Sequence, residues 1–239
     1  MGNAYACDLN IMNSNDDGTI GPRRVVCIHT WEGDWSARKM GEYHQHNQSG
    51  SYHITIDKNG VTNRENDDEF VTWSAMYTGN RVCYHVCLAG FARWGRADWL
   101  SRRKQMEALA RVLWAFHTTY GIPLRKIDGK ALRDGASGIC GHIDISEAWS
   151  ETDHWDPGYN LPYDVVLQMA RSFGGKPSEE KEVGVLSYGK RIFEQLAGIG
   201  KGKNLYPGWP QLGDRTLVDA IAAIGDKLEI DGFKEPKKG

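Results

Sequence analysis

The sequence lacks any run of the roughly 18 to 20 consecutive apolar residues that a membrane-spanning helix requires. It also has little excess charge of either sign, because 29 lysines and arginines stand against 31 aspartates and glutamates and give a formal net charge of -2. A protein that binds the phosphates of nucleic acid needs a broad basic surface, and this composition supplies none. We therefore expect neither membrane insertion nor nucleic-acid binding.

Cysteine is also scarce, and the 5 cysteines are an odd number in a chain of 239 residues, which is long enough to form a core without disulfides. Reduced thiols are the expectation. The N-terminus lacks the basic start and apolar run of a secretory signal, and Ala6 stands where a myristoylation signal requires serine or threonine. The sequence thus predicts synthesis in a cytoplasm without a signal peptide or lipid anchor.

Aromatic residues are abundant, and the 9 tryptophans, 10 tyrosines and 6 phenylalanines supply the mass of a folded core. Short β-branched and apolar runs predict strands at residues 24–30, 51–57, 81–90 and 138–145. Asn59-Gly60 predicts a tight turn that joins the strand at 51–57 to an antiparallel strand at 61–64. Apolar residues at helical spacing predict helices at residues 97–120 and 163–173. Strands that alternate with helices predict an α/β fold with a mixed central sheet flanked by helices.

A change of composition marks a domain boundary, because residues 174–182 contain glycine, proline and charge without apolar content, as linkers do. We predict a main domain at residues 1–175, a linker at 176–182 and a small helical module at 183–239 with helices at 183–196 and 217–228. The module is either a helical hairpin that packs on the main domain or a unit that attaches the protein to an insoluble partner.

The residues best suited to carry chemistry are histidines at strand ends. Of the 8 histidines, His29 closes the first predicted strand and His142 closes another, and Asp156 follows in a Pro-Gly turn that can direct its carboxylate back toward them. Two imidazoles and one carboxylate, with the fourth position left to water, form the ligand set of a catalytic zinc site. Spacing alone leaves ordinary hydrogen-bonded histidines as the alternative, because distant ligands follow no fixed pattern.

Four blocks of sequence carry a resemblance to a known family: Val25-Val-Cys-Ile-His-Thr30, Ser51-Tyr-His-Ile-Thr-Ile-Asp57, Gly141-His-Ile-Asp144 and Asp153-His-Trp-Asp-Pro-Gly158. In this order and spacing they resemble the zinc-dependent N-acetylmuramoyl-L-alanine amidases, a family that includes the peptidoglycan recognition proteins. The resemblance spans about residues 20–173 and is strongest toward the amidase domains of phage endolysins directed at actinobacterial hosts.

The resemblance implies hydrolysis of peptidoglycan at the amide between N-acetylmuramic acid and the L-alanine of the stem peptide, with Zn²⁺ as the cofactor. It makes His29, His142 and Asp156 the metal ligands, and Tyr52 a catalytic residue that hydrogen-bonds the attacking water or the developing oxyanion. Many relatives carry a lysine for the oxyanion where this chain has His154, which therefore takes that catalytic role with a different side chain. The group that delivers a proton to the leaving amine stays open.

Cys87 stands where other relatives carry a catalytic glutamate, so the tyrosine-dependent mechanism is the consistent one. His53 should face away from Tyr52, because side chains alternate along a strand, and is expected to be structural. His44 falls in a predicted loop at residues 43–49 and is expected to line a groove or to contact solvent. Tryptophans exposed beside the zinc are expected to contact substrate, and the candidates are Trp31, Trp35, Trp73, Trp149 and Trp155.

Two alternatives to an endolysin stay open. Some recognition proteins bind muropeptide without cleaving it, and a related zinc peptidase would act on another peptidoglycan amide. The resemblance to endolysins further implies synthesis in a host cytoplasm and action on the bacterial cell wall after release through a separate membrane-permeabilising protein, and it favours wall attachment for the C-terminal module. The sequence predicts no oligomeric state.

Overall fold

The computed structural model describes residues 2–174 and 216–228, and the chain divides into two compact units, residues 1–175 and 176–239. The described part of the first unit contains seven strands: β1 Asp16–Thr19, β2 Val25–Thr30, β3 Ile54–Ile56, β4 Thr62–Arg64, β5 Phe70–Thr72, β6 Cys83–Leu88 and β7 Gly138–Gly141. It also contains seven helices: α1 Ala37–His46, α2 Met76–Val82, α3 Arg96–Ser101, α4 Arg103–Tyr120, α5 Gly129–Arg133, α6 His142–Trp149 and α7 Tyr163–Ser172.

The main sheet has five strands in the order β4-β3-β6-β2-β7, and a separate antiparallel pair joins β1 to β5. Strands β3, β6, β2 and β7 are parallel, and only β4 runs antiparallel, as the second strand of the hairpin with β3. Gly60 supplies the positive φ of 78° that the hairpin turn needs, as the Asn-Gly pair predicted. The mixed central sheet flanked by helices is thus confirmed.

The two faces of the sheet differ in what covers them. One face packs against α4 and α7 through a large apolar cluster that includes Ile28, Ile54, Val86, Leu113 and Phe116. The other face packs against α5 and α6 through a smaller cluster that includes Val25, Cys27, Cys140 and Ile145. Because side chains alternate along a strand, His29 follows Val25 and Cys27 on this second face. The second face therefore carries the candidate site at the end of β2.

Several element bounds differ from the sequence prediction. The strand predicted at 138–145 ends at Gly141, and His142 is the first residue of α6 rather than the last of a strand. The Asp144 carboxylate accepts a hydrogen bond from the Gly141 N–H at 2.6 Å, and this cap starts the helix. The helix predicted at 97–120 is two helices, because the backbone leaves helical geometry at Arg102, with φ -87° and ψ 47°.

The loop predicted at 43–49 was wrong for residues 43–46, because α1 extends to His46, and residues 47–49 are outside helices and strands. The Ser36 side chain caps this helix by accepting a hydrogen bond from the Lys39 N–H at 3.2 Å. The buried residues of α1 follow helical spacing, and they are Ala37, Met40, Gly41 and His44. Similarly, the strand predicted at 81–90 begins only at Cys83, because α2 occupies the residues before it.

In the second unit the structure describes one helix, α8 Leu217–Lys227, which confirms the helix predicted at 217–228. The Thr216 hydroxyl accepts a hydrogen bond from the Asp219 N–H at 3.1 Å and so caps the first turn. The predicted linker 176–182 and the predicted helix 183–196 lie outside the described residues. Within the described ranges no helix is long and apolar enough to cross a membrane.

Candidate metal centre

Three side chains predicted as metal ligands lie together at one edge of the sheet. His29 is near the end of β2, His142 directly follows the neighbouring parallel strand β7, and Asp156 comes from the loop after α6. The Asp156 carboxylate places Oδ2 at 3.2 Å from His29 Nδ1 and Oδ1 at 3.2 Å from His142 Nδ1. One ligand atom from each of the three buried residues lies within 4.8 Å of the others. The geometry therefore provides a compact N, N, O donor set.

Backbone contacts hold the Asp156 loop against the sheet. The Thr30 N–H donates to Asp156 Oδ2 at 3.1 Å, and the Ile143 N–H donates to the Asp156 carbonyl oxygen at 3.0 Å. Gly141 permits this close approach, because a Cβ on it would lie 2.7 Å from Pro157 Cδ and 2.9 Å from Tyr163 Oη. The glycine before His142 is thus required by packing against the loop that carries the third candidate ligand, Asp156.

We expect Gly141→Ala to destabilise the fold by about 1 to 3 kcal/mol, because the added methyl group overpacks the contact with Pro157. The displaced loop should also weaken metal binding through Asp156. Urea unfolding and metal titration measure the two effects. Gly21→Ala is the matched control, since an added Cβ there meets no atom within 4 Å. Equal stability of the two variants would contradict the packing role of Gly141.

The electrostatics of the cluster fit a bound cation. Burial by itself would raise the pKa of Asp156, but its close contacts with the imidazoles of His142, His154 and His29 outweigh burial and hold the pKa well below its usual range. Burial lowers the pKa of His29 to about 4, so its ring is neutral at pH 7. Among the described residues the ion-pair partners of Asp156 are all histidines, with neither lysine nor arginine among them. A buried carboxylate that neither lysine nor arginine neutralises, beside two imidazoles, is a donor set suited to zinc.

Tyr52 and His154, the two predicted catalytic residues, flank this cluster. The Tyr52 ring centroid lies 5.2 Å from that of His29, and burial raises the pKa of Tyr52 well above 10, so the phenol keeps its proton. The His154 ring centroid lies 4.8 Å from that of His142. His154 is exposed and lies against His142, whereas Tyr52 lies against His29. The His154 Nδ1 is 3.7 Å from Asp156 Oδ1, and this contact raises the pKa of His154.

His44 and Glu65 hold the backbone of Tyr52 in place, and Glu65 was not among the residues predicted from the sequence. His44 donates from Nδ1 to Glu65 Oε2 at 2.8 Å, and the same carboxylate oxygen accepts the Tyr52 N–H at 3.0 Å. His44 is buried and lines a groove with Tyr52, so the solvent contact considered for it was wrong. Burial raises the pKa of Glu65. Glu65 was missed because its partners become neighbours only in the folded sheet.

A pair of buried histidines lies behind His29. His85, on β6, places Nδ1 at 2.9 Å from His29 Nε2, and its own Nε2 is 3.2 Å from the Gly79 carbonyl oxygen. His53 stacks on His85 with ring centroids 5.9 Å apart and contacts neither Tyr52 nor a ligand through its ring nitrogens. Burial lowers the pKa of both His53 and His85 well below 6.5. The expected structural position of His53 agrees with these contacts, whereas His85 was missed.

The thiols near the site are buried and unpaired, as predicted. Cys27, His29 and His85 also form a compact group of potential ligands. The 2.9 Å hydrogen bond between the rings of His29 and His85 accounts for the proximity of these two residues without a metal. Burial raises the pKa of Cys87 well above 9.0, so the residue that stands in place of a glutamate holds its proton beside Tyr52.

Aromatic side chains line grooves on both sides of the cluster. One groove is formed by Trp31, Glu32, Trp35, Tyr43, His44 and Tyr52. Two others, next to His154, include Trp155 with Glu32 and Ala92, and Trp73 with Met76 and Thr152. Trp149 instead packs against the smaller apolar cluster of the sheet. Four of the five candidate tryptophans therefore border the site, and the fifth belongs to the core.

A buried His-His-Asp cluster at the edge of a mixed sheet, open to aromatic grooves, defines a candidate hydrolytic metal centre. The sequence profile of the N-acetylmuramoyl-L-alanine amidase family matches residues 18–159, more than half of the chain. The chain therefore belongs to the N-acetylmuramoyl-L-alanine amidase family, whose members act on peptidoglycan. A second profile, described as the Rv3766 C-terminal domain, matches residues 177–233.

One solved structure with a TM-score above 0.5 shows the same fold at low sequence identity, and a second similar structure is reported beside it. Staphylococcus aureus hydrolase AmiA, in complex with its ligand, is 17% identical, with a TM-score of 0.55 over 72% of this chain and 88% of that chain. The endolysin N-acetylmuramoyl-L-alanine amidase LysCS from Clostridium intestinale URNW is 16% identical, with a TM-score of 0.45 over 72% of this chain and 99% of that chain. No curated protein sequence matches the chain.

Proposed function

We propose that the chain is a zinc-dependent N-acetylmuramoyl-L-alanine amidase of the phage endolysin type. It would hydrolyse the amide between the lactyl carbonyl of N-acetylmuramic acid and the L-alanine that begins the stem peptide. The buried cluster of His29, His142 and Asp156 carries this proposal, because its two imidazoles and one carboxylate match the ligand types of a catalytic zinc site and the chain belongs to the amidase family. When bound there, zinc makes hydroxide available at neutral pH and polarises the amide carbonyl.

Tyr52 would act by donating a hydrogen bond from its phenol to the oxygen that becomes negative when the carbonyl is attacked. Its raised pKa keeps the donor proton in place at pH 7. His154 would provide a second polar group on the exposed side of the site, where it borders two grooves. The protonated Cys87 thiol cannot serve as a general base, which supports the mechanism that depends on Tyr52.

The aromatic grooves suit a substrate that combines sugar rings with a peptide. Indole and phenol rings cover the apolar faces of a sugar while their polar edges remain able to hydrogen-bond. Trp31, Trp35 and Tyr43 form such a surface beside Tyr52, and their mutual ring contacts at 5.4 to 5.7 Å fix its shape. Trp73 and Trp155 border the grooves on the side of His154.

Hydrolysis of a soluble muramoyl peptide tests the proposal. We expect full loss of turnover after the metal is removed with a chelator and recovery when one equivalent of zinc per chain is added. A recognition protein would bind the muropeptide in both conditions and cleave it in neither. Cleavage that persists without metal would contradict a zinc-dependent amidase.

The C-terminal unit would attach the enzyme to the cell wall, after synthesis in a host cytoplasm and release to the wall. We expect deletion of residues 183–239 to weaken binding to purified sacculi by at least about 10-fold while hydrolysis of a soluble muropeptide changes little, because attachment acts through effective concentration. Sedimentation with sacculi and a soluble turnover assay measure the two effects. Equal losses in both assays would make the unit structural instead.

A further inference from the structure

His85 connects a metal ligand to a backbone carbonyl through two ring nitrogens. The residue lies at the centre of the sheet, on β6 beside β2, and is fully buried. Its Nδ1 is 2.9 Å from His29 Nε2, and its Nε2 is 3.2 Å from the carbonyl oxygen of Gly79, in the middle of α2. The His29 ring in turn directs Nδ1 at Asp156 Oδ2, 3.2 Å away.

The Gly79 carbonyl oxygen, at one end of this series of hydrogen bonds, determines the direction of each bond in it. A carbonyl oxygen accepts and never donates, so His85 Nε2 carries the proton that binds Gly79. A neutral imidazole has only one N–H, so His85 Nδ1 is an acceptor and His29 Nε2 must donate to it. His29 is then left with an unprotonated Nδ1 and a free lone pair that faces Asp156.

The surroundings keep His85 neutral, which this derivation requires. An imidazolium in this position would be a buried charge, and among the described residues His85 has no carboxylate partner. Backbone groups also determine the tautomer of the stacked His53 ring. Its Nδ1 accepts the backbone N–H of His85 at 2.9 Å, and its Nε2 donates to the Phe70 carbonyl oxygen at 3.1 Å. Both rings are therefore held in their tautomers by the backbone.

We infer that His85 is a positioning residue that holds His29 in the tautomer with a free Nδ1, ready to bind the metal. A lone pair and a carboxylate oxygen 3.2 Å apart repel each other unless a cation lies between them, so the arrangement is complete only with a metal ion. A partner on the second ring nitrogen also fixes the ring orientation of a ligating histidine and raises its basicity. This inference rests on the proposed function for the identity of the metal.

Two buried-histidine variants and one rescue variant test the role of His85. His85→Phe fills the same space without an acceptor, whereas His85→Asn keeps an acceptor, Oδ1, in place of Nδ1. His53→Phe is the matched control. His53 is as buried as His85, but its ring makes no hydrogen bond to a metal ligand. Zinc affinity is measured by competition with a chromophoric chelator, and stability by thermal unfolding.

We expect zinc affinity to fall about 10- to 100-fold in His85→Phe, to recover largely in His85→Asn, and to stay at the wild-type value in His53→Phe even where stability falls. In the metal-free wild-type protein, long-range ¹H–¹⁵N NMR spectra should show His29 and His85 both protonated at Nε2.

Protonation of His29 at Nδ1 in the metal-free protein would overturn the inference, and so would equal zinc affinity in the two phenylalanine variants. Absence of zinc binding by the wild-type protein would instead overturn the proposed function. The NMR tautomers would then still decide the direction of the hydrogen bonds, because that measurement needs neither the metal nor a substituted protein.

Discussion

Asp156→Asn is expected to reduce hydrolysis of muramoyl peptides below detection and to leave the chain without bound zinc. The substitution keeps the size of the side chain but removes the only carboxylate that contacts His29 and His142 among the described residues. A neutral amide neither balances the charge of a divalent cation nor equals a carboxylate as a ligand. Turnover of a soluble substrate and the zinc content of the purified protein measure the effect.

Asp153→Asn is the matched control for this change. Asp153 lies on the same loop and is exposed, and it is not part of the ligand cluster. We expect this variant to retain both zinc and turnover. Turnover by Asp156→Asn at the wild-type rate would remove Asp156 from the ligand set. Loss of activity in both variants would instead indicate that any change in this loop disturbs the site.

Tyr52→Phe is expected to lower kcat by about 10² to 10³, the usual effect of removing one donor to a developing oxyanion. Zinc affinity should not change, because the phenol is not part of the donor set. The aromatic contact with the His29 ring, 5.2 Å between centroids, remains possible for phenylalanine, so the fold should be unaffected. Steady-state kinetics combined with zinc titration separate the two effects.

Tyr159→Phe provides the comparison, because Tyr159 is 79% exposed and lies outside the grooves that border the site. It should retain the wild-type kcat. If Tyr52→Phe also turned over at the wild-type rate, the hydrogen bond to the oxyanion would have to come from another group.

Local pattern predicted the elements that have a strong periodic signal. Strand β2 and helix α4 carry enough apolar residues at fixed spacing for tertiary contacts to reinforce the local preference. Helix α1 was missed because its apolar face is small, and its buried positions include a glycine and a histidine. Its formation depends on the cap from Ser36 and on the sheet beneath it.

The resemblance predicted which residues meet at the site, but not what holds them there. The partnership of His29 with His85 depends on the register that pairs Cys27 with His85 across β2 and β6, and a strand sequence does not specify its register with a distant strand. Nothing in the sequence next to Gly141 indicates that a glycine is required there. The requirement comes from Pro157, in a separate loop, which leaves no space for a Cβ. Supporting residues of this kind emerge only from the folded structure.

The most direct test of the proposed amidase is mass spectrometry of the fragments that the protein releases from purified sacculi, with and without a zinc chelator. We predict stem peptides that begin with a free L-alanine amino group, lost on chelation and restored by zinc, without new reducing sugar ends. Fragments cut at another amide, new reducing ends, or release that is insensitive to the chelator would contradict a zinc-dependent N-acetylmuramoyl-L-alanine amidase.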